Sequence, residues 1–68
     1  MEIKLTTIKD ILDFVNLAFR KDSSATVSQG KYIVNASSFL GVCSLDLMKP
    51  VTLNLDSKDY SAFQQFAA

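Results

Sequence analysis

Ala25-Thr26-Val27-Ser28-Gln29-Gly30-Lys31-Tyr32-Ile33-Val34-Asn35 is the stretch on which the fold turns. It reads as a strand, Ala25–Ser28, joined through Gln29-Gly30 to a second strand, Lys31–Asn35. Gly30 supplies the positive φ that a tight hairpin requires, so the two strands are antiparallel neighbours. Every other apolar segment has to be arranged around that pair.

Upstream, Met1–Leu5 predicts a short strand with Ile3 and Leu5 on one face, stopped by Thr6-Thr7. A helix follows, opened by Thr7 and Asp10 in a Thr-x-x-Asp capping arrangement. The hydroxyl accepts from a free backbone N–H and the carboxylate favours the positive helix end. Ile8, Ile11, Leu12, Val15, Ala18 and Phe19 recur at helical spacing and predict one buried stripe. Lys9, Asp10, Asp13, Asn16 and Arg20 fill the polar side, and Arg20-Lys21 complement the C-terminal dipole before Asp22-Ser23-Ser24 breaks the helix.

Downstream of the hairpin, Ala36–Leu47 predicts a short helix capped by Ser37 or Ser38, with Phe39, Leu40, Cys43 and Leu47 on one broad side; Gly41 makes it a weak one. Pro50 ends that element. Val51, Leu53 and Leu55 alternate with polar residues as a half-buried strand, and a last helix from Asp56 or Ser57 buries Tyr60, Phe63 and Phe66 or Ala67. The order β-α-β-β-α-β-α, with one tight hairpin and helices between the other strands, predicts an α+β open-faced sandwich: a four-stranded, mostly antiparallel sheet with its helices on one face.

Composition narrows the function classes. Sixty-eight residues make one domain, spanning 1–68, near the lower end of what folds without a staple, and the 49% hydrophobic content supplies a core. Seven cations are balanced by seven anions and scattered along the chain. Nucleic acid is therefore not the expected partner, since phosphate-backbone binding draws on clustered Lys and Arg. No apolar run approaches the roughly 18 residues of a membrane span, and Met1-Glu2-Ile3-Lys4-Leu5 is not a signal peptide, so a cytoplasmic, monomeric domain is expected. Cys43 is the one cysteine and there is no histidine, so no disulfide within the chain, zinc site or other metal or cofactor site is expected. With Val42 and Leu45 beside it, Cys43 reads as a small buried hydrophobe. Asp10 and Asp13 read as solvated helix carboxylates and not as an acid and base pair.

From Val15 to Leu47 the spacing resembles, without gaps, the histidine-containing phosphocarrier protein (HPr) family of the bacterial sugar phosphotransferase system. Lys21-Asp22-Ser23 is similar to that family's post-helix Phe-Asp-Ser turn, and Gly30-Lys31 to its hairpin. Asn35-Ala36-Ser37-Ser38-Phe39-Leu40-Gly41-Val42-Cys43-Ser44-Leu45 is similar to its Asn-x-Lys-Ser-Ile-Met-Gly-Val-Met-Ser-Leu. The element order agrees over most of the rest.

The resemblance implies a phosphoryl-carrying histidine just before the first helix, in a Gly-x-His-x-Arg-Pro signature, with Arg and the helix N-terminus stabilising the phosphate. Here Thr7 stands in the histidine position and Lys9 in the arginine position; Gly, His, Arg and Pro are all missing. A threonine hydroxyl without a base forms an ester, not a labile phosphoramidate, and Asp10 adds a negative charge where phosphate would sit. The chain is thus expected to be no enzyme and no phosphocarrier, with Thr7 acting as a helix cap.

The family's second functional position is a kinase-modified serine at the start of the middle helix, which corresponds to Ser38. Serine there suits phosphate and is equally a preferred N-cap. In the family this helix also presents an apolar patch to phosphotransfer enzymes and regulators, which corresponds to Phe39, Leu40 and Met48. Phe39 and Leu40 are either that patch or core, while Met48, beside Lys49-Pro50, is expected at the surface. The functional expectation is an HPr-like module that binds a protein partner, a phosphotransferase-system enzyme or a transcriptional regulator. The alternative is a regulatory phosphoprotein modified on Ser38 by an HPr-type serine kinase.

Overall fold

The computed structural model describes residues 1–68. Its elements run β1 (Glu2–Ile3), α1 (Ile8–Lys21), β2 (Thr26–Gln29), β3 (Tyr32–Asn35), α2 (Phe39–Cys43), β4 (Val51–Asn54) and a C-terminal 3-10 helix (Ser61–Phe66). The strands form one four-stranded sheet in the order β1-β4-β2-β3, antiparallel at every pairing. The expected open-faced α+β sandwich is the architecture found, with the sheet wholly and not mostly antiparallel.

The hairpin forms with its turn one residue later than expected, at Gly30-Lys31 and not Gln29-Gly30, because Gln29 extends β2 and Lys31 leaves β3. Gln29 pairs with Tyr32, leaving Gly30 and Lys31 as a two-residue turn. Gly30 has φ +59° while Lys31 is not in the left-handed region. A positive φ at the first turn residue alone is the pattern of a type II′ turn, whose twist matches that of the strands it joins.

Alternation then sorts the sheet into two faces. Val51, Leu53 and Val27 are buried under the helices, whereas Thr52, Asn54, Thr26 and Ser28 lie on the other side and retain exposure. Sixteen buried residues, all apolar, make one core cluster. No polar or titratable side chain is enclosed in it, so any chemistry belongs to the surface.

The open edge of the sheet is β3. The opposite edge, β1, is covered by the end of the chain: Lys4 N–H donates to Phe66 O at 2.9 Å, Ala68 N–H donates to Glu2 O at 3.1 Å, and Ile3 bridges Ala67. The 3-10 helix before this cover buries Phe63 and Phe66 edge-on against Phe14, at centroid distances of 5.8 and 5.4 Å.

The first strand is Glu2–Ile3 and not Met1–Leu5, with Ile3 and Leu5 both buried as expected. Four further sequence expectations are corrected here. On α1 the buried stripe is Ile11, Phe14, Val15 and Ala18, while Ile8, Leu12 and Phe19 are exposed. The C-terminal 3-10 helix docks against α1 through Phe63 and Phe66, and this draws Phe14 inward and turns the flank bearing Phe19 toward solvent. The middle helix is Phe39–Cys43 and not Ala36–Leu47, because Ala36 continues the sheet, its N–H donating to Ala25 O at 2.9 Å. Its buried side is Val42, continued by Leu45, with Phe39 and Leu47 half-buried.

Cys43 is exposed and not a core residue: it lies one residue past Val42, which takes the inward position. Finally, the last helix starts at Ser61 and not at Asp56 or Ser57. Lys58 adopts φ +58°, which a right-handed helix cannot accommodate, and Asp59 then opens the helix by accepting from Ser61 N–H and Oγ at 3.2 and 2.7 Å. The expected placement of Asp59 near the positive helix end is the one found.

Candidate docking surface

Three short segments carry the candidate residues: the turn into α1, the start of α2, and the turn after it. In the first, Thr7 is the N-cap of α1, with extended φ/ψ of −130° and 163°. Asp10 N–H donates to Thr7 Oγ1 at 3.1 Å, which satisfies one of the free donors of the first turn. The Asp10 carboxylate reaches back one residue further, accepting from Thr6 Oγ1 at 2.9 Å and Thr6 N–H at 3.3 Å. These bonds, the hydroxyl's foremost, hold the Asp10 carboxyl below its ordinary pKa.

The positive end of α1 therefore already has a resident anion. Lys9 donates to Asp13 at 2.9 Å, and this hydrogen bond and charge raise its pKa.

In the second segment Ser38 caps α2, its Oγ accepting from Gly41 N–H at 3.1 Å, and Val42 N–H donates to Ser38 O at 2.9 Å. Ser37 does not take that role. Gly41 packs against the Ser38 cap and β3: an added Cβ would lie 3.1 Å from Ser38 Oγ and 3.3 Å from Val34 Cβ. The glycine that weakens the helix by propensity thus sits where a side chain would crowd Ser38 and Val34.

Leu40 is 80% exposed and Met48 84%, both at the surface, while Phe39 is half-buried against the core. Of the two residues with open assignments, Phe39 goes to the core margin and Leu40 to solvent.

The third segment is held by bonds the sequence did not announce. Gln29 Nε2 donates to Asp46 O at 2.7 Å and Asp46 N–H donates to Gln29 Oε1 at 2.8 Å, so one side-chain amide holds both backbone polar groups of a single residue. Asp46 Oδ1 accepts from Met48 N–H at 3.1 Å, and Lys4 Nζ donates to Met48 O at 2.9 Å. The Lys4 bond brings the Met48 turn against the segment that leads into Thr7. A large apolar side chain is thereby presented from a tethered turn, with Lys4 and Lys49 as adjacent cations.

Two grooves, of about 450 and 330 Å³, lie at the C-terminal half of α1, one lined by Asp13, Phe19 and Arg20, the other by Lys21, Asp22 and Asp59; none of Thr7, Ser38, Leu40 or Met48 enters either. No three His, Cys, Asp or Glu residues converge as a metal would need, and no helix is long and apolar enough to cross a membrane. No family model, curated protein or solved structure matches the chain.

Proposed function

We propose that the chain is an HPr-like module without phosphocarrier chemistry, a non-catalytic cytoplasmic protein that docks a phosphotransferase-system enzyme or a transcriptional regulator. The observation that carries this reading is the solvent exposure of Leu40 and Met48 on and just after α2, the position of the family's docking helix. Large apolar side chains left in water by a chain this short are available for a partner. Two features support the loss of phosphoryl transfer: the absence of histidine, and the engagement of Thr7 and Asp10 in closing the helix end on themselves.

The test is incubation with the general phosphotransferase enzyme and phosphoenolpyruvate, read in two ways. Intact-mass measurement is expected to show no gain, and an acid-labile phosphate would overturn the non-carrier reading. Amide chemical-shift changes on adding the enzyme, or a regulator of the same system, are expected to centre on residues 38–48. A spectrum unchanged by both partners would overturn the docking reading.

A further inference from the structure

We draw no further inference here: the strongest candidate, the apolar strip that Ile8, Leu12 and Phe19 form along the exposed flank of α1, is an unpartnered face and nothing in the structure shows what covers it.

Discussion

Thr7 has a measurable structural role through one hydrogen bond. It accepts from Asp10 N–H, so Thr7→Ala is expected to destabilise the domain by about 1 kcal/mol, while Thr7→Ser is nearly neutral. Urea titration of both variants checks this, and an alanine variant as stable as the parent would remove the capping account. Asp10 adds a dependence on pH. Its folded-state pKa lies below the ordinary value of 3.8 because Thr6 donates to the charged form. The unfolded chain thus takes up the proton first as pH falls, and the stability this carboxylate contributes is present above about pH 4 and lost below it. The expected outcome is a denaturation midpoint that is level from pH 6 to 4.5 and declines under pH 4, with a shallower decline in Asp10→Asn. Asp59 acts in the same direction through Ser61, so Asp10→Asn removes only part of the slope.

At the scale of elements, the hairpin and β4 were legible because their signals are local: a glycine where φ must be positive, and apolar residues at every second position. The face of α1 was not. At about 100° per residue, Phe14, Ala18, Ile11 and Val15 and then Ile8, Phe19 and Leu12 form one apolar arc wider than a single contact can bury. Which end of the arc goes inward depends on where the C-terminal segment docks, more than forty residues away in sequence. Substitution separates the two ends. Phe14, fully buried between Phe63 and Phe66, is expected to cost about 3–5 kcal/mol when changed to Ala. Phe19→Ala, at a residue 69% exposed, is expected to change stability by about 0.5 kcal/mol or less. Comparable losses at both positions in thermal or urea unfolding would show that α1 is rotated from the orientation described. The candidate site was legible to the same local degree. The cap Thr7 follows from residue type and position, and for α2 the sequence narrows the cap to Ser37 or Ser38, whereas the grip of Gln29 on Asp46 joins residues seventeen apart and leaves no pattern in either segment.

At the scale of the whole fold, residues 1–4 and 66–68 lie side by side. The Met1 ammonium donates to Leu53 O at 3.1 Å, Leu53 N–H donates to Met1 O at 2.7 Å, and residues 66–68 line the outer edge of β1. β1 itself has only two residues, so it is held by β4 on one side and by this cover on the other. Deleting Ser61–Ala68 would remove Phe63 and Phe66 from the core, expose Phe14, and strip the cover from β1. Each buried phenylalanine is worth about 3–5 kcal/mol when truncated. A domain of this length has a total stability on the order of 3–10 kcal/mol, at about 0.05–0.15 kcal/mol per residue. The loss is as large as the whole, so the truncated chain is expected to show no cooperative thermal transition and no dispersed amide spectrum at 25 °C. Deleting only Ala67-Ala68 removes exposed side chains, the Ile3–Ala67 bridge and two backbone hydrogen bonds, so that shorter variant is expected to keep its transition at a modestly lower midpoint. A cooperative transition in the longer deletion near the parent's midpoint would mean that the sheet and α1 close without the C-terminal segment. The edge-on packing of Phe63 and Phe66 against Phe14 would then contribute little to holding the molecule together.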